Sequence, residues 1–326
     1  MSLVTDLPAI FDQFSEARQK GFLTVMDLKE RGIPLVGTYC TFMPQEIPMA
    51  AGAVVVSLCS TSDETIEEAE KDLPRNLCPL IKSSYGFGKT DKCPYFYFSD
   101  LVVGETTCDG KKKMYEYMAE FKPVHVMQLP NSVKDDASRA LWKAEMLRLH
   151  KTVEERFGHE ISEDALRDAI VLKNRERRAL ANFYHLGQLN PPALSGSDIL
   201  KVVYGATFRF DKEALINELD AMTARVRQQW EEGQRLDPRP RILITGCPIG
   251  GAARKWCAQL KRMAAGLSVM KTAPGRKRPS NAWQKRAMST TRWRINIWRL
   301  AAPVFRRTIS ACKCSARWLK NIRSMA

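Results

Sequence analysis

An α/β fold built on a parallel sheet is what this sequence predicts, and three observations predict it. Short, nearly continuous apolar runs recur at Pro34–Thr38, Ala53–Leu58, Leu101–Gly104 and Val124–Leu129. Stretches with helical spacing separate them, as strands covered on both faces by helices require. After Lys134 the pattern turns wholly helical, and a new apolar run at Arg241–Thr245 then opens what reads as a second α/β unit.

Each element follows from a local signal. Leu7 to about Arg31 has helical spacing at Ile10, Phe11, Phe14 and Ala17. Helices are expected between the strands at Glu46–Ala51, Asp63–Asp72, about Leu77–Tyr85 and Gly110–Phe121. In the helical stretch, Leu141, Met146, Leu149, Val153 and Phe157 line one helix that Gly158 stops. Ser162 starts the next, which runs to about Leu186. Ser195 starts a third, and Asp211 starts a fourth that reaches about Glu232. Leu236–Pro240 is a link. The strand Arg241–Thr245, without neighbours, would present an open edge. The expected organisation is an N-terminal α/β domain (1–133), a helical segment (134–236), the truncated start of a second α/β domain (237–253) and a basic tail (254–326).

Composition bounds the function. The chain has 326 residues, 51 Lys+Arg against 36 Asp+Glu, and a formal net charge of +15. That charge is local. Residues 254–326 hold 19 basic side chains, no acid and five of the seven Trp, so residues 1–253 carry 32 basic and 36 acidic groups. At the acid frequency of the first part, a tail of that length should hold about ten acids. One reading is a basic, Trp-interleaved arm for nucleic acid or a membrane surface. The favoured reading is a shifted reading frame. Asp and Glu codons begin GA; read one base later they begin with A and encode no acid. Back-translating Trp256–Ala265 and regrouping it yields Val-Val-Arg-Ala-Ile-Glu-Glu-Asn-Gly-Gly, an amphipathic helix with a Gly stop. No stable independent fold is expected from Gly266 onward, and residues 254–326 are expected to be disordered. No apolar run reaches the roughly 18 residues of a bilayer span, and the N-terminus does not read as a signal peptide. The expectation is a cytoplasmic protein with no membrane partner, whose nine cysteines are thiols or metal ligands rather than disulfides.

In open parallel sheets, ligands bind beyond the carboxyl ends of the strands. Cys40 follows the first strand and Cys108 the third, while Cys78 precedes Pro79 at a helix start. Three thiolates from three segments suit an iron–sulfur cubane with one open iron, or a zinc site with a fourth ligand; a buried structural thiol is the alternative for each. Cys59 reads as core, Cys93 as a loop thiol, and Cys247 as a further candidate for the same cleft. Cys257, Cys312 and Cys314 fall in the basic tail. Glu46 and Asp109 flank two of the cysteines and are candidates for orienting ligands or moving protons; helix capping is the alternative for Asp109. Lys111–Lys113 reads as a solvated helix start before it reads as a phosphate contact. His125 reads as a core histidine; His150, His159 and His185 read as exposed. Neither a nucleophile elbow, nor a Walker loop, nor a dinucleotide fingerprint is present.

The segments Gly37–Glu46, Leu73–Lys82, Thr106–Lys111 and Ala169–Arg177 together resemble the 2-hydroxyacyl-CoA dehydratase family, over about Asp27 to Ala253. The branch that it is most similar to is single-subunit and related to the double-cubane-cluster proteins. The resemblance implies two Rossmann-like domains with a cluster between them, and Cys40, Cys78 and Cys108 as iron ligands. It implies a [4Fe–4S] cluster with one open iron, or a double cubane that draws three further cysteines from the second domain. It also implies an ATP-hydrolysing iron–sulfur reductase as electron donor, radical loss of water from a 2-hydroxyacyl-CoA or reduction of a small substrate, and a homodimer or a related second subunit. The chain departs from that pattern after Ala253, which leaves its activity impaired. The rival readings are a non-catalytic remnant and a nucleic-acid-binding protein acting through the basic tail.

Overall fold

A computed structural model describes residues 7–60, 62–132, 135–238, 241–245 and 266–271. Four strands form the central sheet: β1 (Leu35–Thr38), β2 (Val54–Ser57), β3 (Leu101–Glu105) and β4 (Val124–Met127). They run parallel in the order β2-β1-β3-β4. The expected α/β class is therefore what forms. The helices ahead of and between the strands are α1 (Leu7–Glu30), α2 (Glu46–Ala50), α3 (Ile66–Ala69), α4 (Pro79–Lys89), α5 (Pro94–Phe98) and α6 (Asp109–Met118).

Alternation along the strands builds two cores. On one face Leu35, Val56 and Val102 pack with Tyr39, Ile81, Tyr85, Met114 and Tyr115. On the other, Val36, Leu101, Val103 and Met127 pack with Ile47, Trp142, Met146 and Leu149. A strand's two-residue period puts neighbours on opposite faces, so runs such as Leu101–Val103 must be apolar throughout. Gly104 has a specific reason. A Cβ there would lie 2.4 Å from the Tyr115 ring, so only glycine lets α6 sit this close to β3.

The C-terminal helices obey the cap signals. In α7 (Asp136–Phe157) the Asp135 carboxylate accepts from the Ser138 N–H, and Gly158 ends the helix at φ 75°. Ser162 caps α8 (Glu163–His185), Ser195 caps α9 (Gly196–Gly205) and Asp211 caps α10 (Lys212–Glu231), each accepting a backbone N–H three residues on. Helices α8, α9 and α10 enclose a third core around Phe183, Ile199, Leu215 and Leu219. None of the described helices is long and apolar enough to cross a membrane.

The structure differs from the sequence reading in four places. Helix α3 is a single turn rather than a helix over Asp63–Asp72. Helix α4 starts at Pro79, where a missing N–H costs nothing, and runs on to Lys89. Helix α5 was not expected; Pro94 at its first position again sets the start. The strand Arg241–Thr245 forms as β5, but it is not alone. Gly266–Lys271 forms β6, parallel to it with a register irregularity at Ile242/Leu243. The apolar run around Leu267–Met270 favours extended backbone enough to pair, where disorder was expected. The rest of the basic tail and Cys247, Cys257, Cys312 and Cys314 lie outside the described residues.

His125 lies in β4, 8% exposed, as a core histidine. Its Nδ1 is 3.0 Å from the Thr152 hydroxyl. Burial, helped by the nearby Arg148 charge, pushes its pKa down to about 4 from an ordinary 6.5. Between these values the unfolded chain binds a proton that the native chain refuses, so stability falls as pH drops through this window. At 1.36 kcal/mol per unit, the loss by pH 5 is about 2 kcal/mol. Urea unfolding at pH 7.5 and pH 5 should show the wild type losing about 2 kcal/mol relative to His125→Phe between the two pH values; a difference between the two proteins that does not change with pH would contradict it.

Candidate functional site

Strand β1 is flanked by β2 on one side and β3 on the other. The connection after β1 leads to β2 on one side and the connection after β3 leads to β4 on the other, so a crevice opens beyond the carboxyl ends of β1 and β3, the usual ligand site of such sheets. The sequence puts Cys40 there, two residues past β1, and Thr106–Cys108 beside it, past β3. The two segments touch: Cys40 Sγ lies 3.3 Å from the Thr107 hydroxyl.

Cys40 is held in an uncommon backbone state. Its φ is 66°, the left-handed region that L-residues with a Cβ rarely adopt. The Tyr39 N–H donates to Val103 O at 3.0 Å and fixes the turn to β3. The next residues are anchored by a buried acid. Glu105 Oε1 accepts from the N–H of Phe42 at 2.6 Å and of Met43 at 2.5 Å. Its Oε2 is buried with no hydrogen-bond partner. Burial raises its pKa to about 7, against the pull of those N–H groups and of Lys111.

Lys111 is the residue that sequence reading missed. It is 6% exposed, and its Nζ donates to Cys40 Sγ at 2.7 Å. The same ammonium lies 5.4 Å from the Tyr39 ring centroid. It is not a solvated helix start, whereas Lys112 and Lys113 are exposed and pair with Asp109 and Glu116. Burial opposes the Lys111 charge, but Cys59, Cys40 and Glu105 outweigh it and raise its pKa; burial pushes the Cys40 thiol up. In the free chain the pair is thus an ammonium facing a thiol.

Cys78 and Cys108 are exposed thiols at equivalent places. Each is the N-cap residue of its helix, α4 or α6, and neither side chain makes a capping hydrogen bond. The two helix starts are neighbours. A Cβ on Gly110 would meet Leu77 Cδ1 at 2.6 Å and Ile81 Cδ1 at 2.9 Å, so glycine lets α6 close onto the residue before Cys78. Lys82, 5% exposed, ties down the loop ahead of Cys78. Its Nζ donates to Glu70 at 2.6 Å and to Arg75 O at 2.7 Å.

The acids take different places. Glu46 is 2% exposed at the start of α2. Arg177 Nη1 of α8 lies 2.6 Å from its Oε1, an ion pair by distance whose angle falls outside hydrogen-bonding geometry. That contact joins two of the segments singled out in the sequence. Asp109 is the first residue of α6 rather than its cap, and its exposed carboxylate accepts from Lys112 at 3.0 Å. Cys59 and Cys93 are half-buried against the core. His159 and His185 are exposed, as expected, while His150 is half-buried 3.3 Å from Glu154.

The donor set fits an iron–sulfur cluster: three thiols, two with no capping bond to break, from three segments at one sheet edge. Among the described residues, no group of three or more His, Cys, Asp or Glu converges as a single metal ion requires. A cubane instead offers separate irons, each taking its own thiolate.

A family model described as 2-hydroxyglutaryl-CoA dehydratase, D-component, matches residues 40–326. Over 255 residues, 78% of this chain, the sequence is 98% identical to a protein of Escherichia coli (strain K12) whose name, dehydratase subunit YjiM, is a provisional assignment. It is 22% identical over 229 residues to the (R)-phenyllactyl-CoA dehydratase beta subunit of Clostridium sporogenes, 67% of this chain. It is also 22% identical over 214 residues, 64% of this chain, to the (R)-2-hydroxyglutaryl-CoA dehydratase beta subunit of Acidaminococcus fermentans. The matches span 67%, 57% and 55% of these relatives' own lengths.

The raised Glu105 pKa sets a pH dependence. Below pH 4.5 both states hold the proton; as pH rises through about 7 the unfolded chain has lost it first, so stability declines. Glu105→Gln keeps an oxygen for the two N–H groups and has no charge to bury. Its stability relative to wild type should improve by about 2–3 kcal/mol between pH 4.5 and 8. A difference that stays flat with pH in urea unfolding would contradict this.

Proposed function

The chain belongs to the 2-hydroxyglutaryl-CoA dehydratase D-component family, and from that premise we propose that it is an iron–sulfur subunit of a 2-hydroxyacyl-CoA dehydratase system in the cytoplasm. Cys40, Cys78 and Cys108 hold a [4Fe–4S] cluster and leave one iron open. The observation that carries this reading is the meeting of the Cys40 and Thr107–Cys108 segments across the β1/β3 crevice, beside the helix start that bears Cys78.

When bound, such a cluster supplies a one-electron donor and an open coordination site for removing water from a 2-hydroxyacyl-CoA. The chain's own residues prepare the place. The starts of α4 and α6 present Cys78 and Cys108 with sulfurs that make no capping hydrogen bond. Lys111 and Thr107 hold the Cys40 sulfur. Glu105 fixes the Phe42 and Met43 N–H groups, so the Cys40 loop keeps its shape. Glu46, sealed against Arg177, is a positioning residue that ties α2 to α8. Asp109, exposed one residue after Cys108 and paired with Lys112, is the carboxylate placed to orient a ligand or move a proton beside that thiol.

The partners follow from that reading. An ATP-hydrolysing iron–sulfur reductase supplies the electron, and a related subunit or a second copy of the chain covers the exposed thiols. A double cubane would need further cysteines from a second domain. Residues 254–326 are a shifted reading frame in this reading. The 98% match of 255 residues supports it, while the extension of the family match to residue 326 weighs against it; the near-identity is the stronger signal because it is residue by residue. If the frame is shifted from residue 254, the expected turnover is impaired, and the remnant reading shares that support.

Anaerobic reconstitution of the full chain with iron and sulfide tests the proposal. The expected result is about four irons per chain and broad visible absorbance, both lost in Cys40→Ala, Cys78→Ala and Cys108→Ala and kept in Cys59→Ala. A wild-type chain that takes up no iron would contradict cluster binding and leave the remnant reading.

A further inference from the structure

We infer that Lys111 raises the reduction potential of the cluster by donating a charge-assisted hydrogen bond to the Cys40 sulfur. This rests on the proposed ligation by Cys40, Cys78 and Cys108, and it adds a role for a residue that is not itself a ligand.

The geometry points to it in three ways. Lys111 is 6% exposed, yet its ammonium is turned inward onto Cys40 Sγ at 2.7 Å, across 71 residues of sequence. Its neighbours Lys112 and Lys113 reach solvent and pair with acids on their own helix. A buried ammonium is costly unless an anion compensates it. The nearby acid Glu105 directs one oxygen at the Phe42 and Met43 N–H groups. A thiolate at Cys40 is the partner that the ammonium touches, and iron ligation is what makes Cys40 a thiolate.

The electrostatic consequence has a definite sign. One-electron reduction places negative charge on the cluster and its ligand sulfurs. A fixed cation hydrogen-bonded to one of those sulfurs stabilises the reduced state more than the oxidised state. Hydrogen bonds to ligand sulfurs and local charge are among the features that set such potentials. Lys111 is thus a positioning and tuning residue: it orients the Cys40 loop from beneath and makes the cluster easier to reduce. Thr107, 3.3 Å from the same sulfur, carries no charge and contributes less.

A mediated redox titration of the anaerobically reconstituted full chain, followed by visible absorbance and EPR, tests this. Lys111→Met should shift the midpoint negative by at least a tenfold change in the oxidised-to-reduced ratio, about 59 mV for one electron. Lys111→Arg, which keeps the charge, should recover most of that shift. Equal midpoints for wild type and Lys111→Met at equal iron content would overturn the role of Lys111 and leave ligation standing. If Lys111→Met does not load, Lys111→Gln decides: a negative shift supports the inference and an unchanged midpoint overturns it. A wild-type chain without iron overturns the ligation, and this inference with it.

Discussion

The pairing of β1 with β2 on one side and β3 on the other is the constraint on which the rest of the structure depends. Two parallel neighbours force the chain to leave β1 and β3 at the same edge of the sheet. The segments that follow, one with Cys40 and one with Thr107 and Cys108, then meet because strand direction leaves no other arrangement. Gly104 and Gly110 make the meeting close. The first admits the Tyr115 ring against β3, and the second admits Leu77 and Ile81 against the start of α6. The loop before Cys78 is thereby drawn to the edge where the other two cysteines lie.

Buried charge is the second theme; Glu145 and Glu176 are buried among the later helices, and four other instances lie in the segments that carry the cysteines or pack on them. Glu105 is fully buried and accepts two backbone N–H groups from the Cys40 loop. Lys111 reaches the Cys40 sulfur, and Lys82 holds the loop of Cys78 through Glu70 and Arg75. Glu46 meets Arg177 and couples α2 to the helical segment. Buried charges cost several kcal/mol unless paired. A hydrophobic substitute would serve stability as well, so their concentration around three cysteines is better explained by what they hold in place.

The frame of this fold is legible in the sequence because its signals are local. Apolar runs marked all four strands of the main sheet, and Gly158, Ser162, Ser195 and Asp211 marked helix ends that the structure places at the same residues. The misses are equally physical. Helix α5 is one turn of aromatic residues, too short for a helical period to register. Strand β6 lies in a segment whose charge pattern argues against order, and a short apolar run overrides that locally. For the site, the sequence offers the three cysteines but not their support. Lys111 stands first in a run of three lysines that looks solvated. Its burial depends on a partner 71 residues away, and no spacing rule reaches that far. The pairing of Glu46 with Arg177 is hidden for the same reason.

The central claim is that three thiols from separate segments share one cluster at the β1/β3 edge. Thiol footprinting under native, anaerobic conditions tests it most directly. The full chain is treated with iodoacetamide before and after loading with iron and sulfide, and each cysteine is read by mass spectrometry. Cys40, Cys78 and Cys108 should be protected together on loading and return together when a chelator strips the iron, while Cys59 and Cys93 stay unchanged. Labelling of Cys40, Cys78 and Cys108 that does not respond to iron, or protection that falls on Cys59 and Cys93 instead, would contradict the claim.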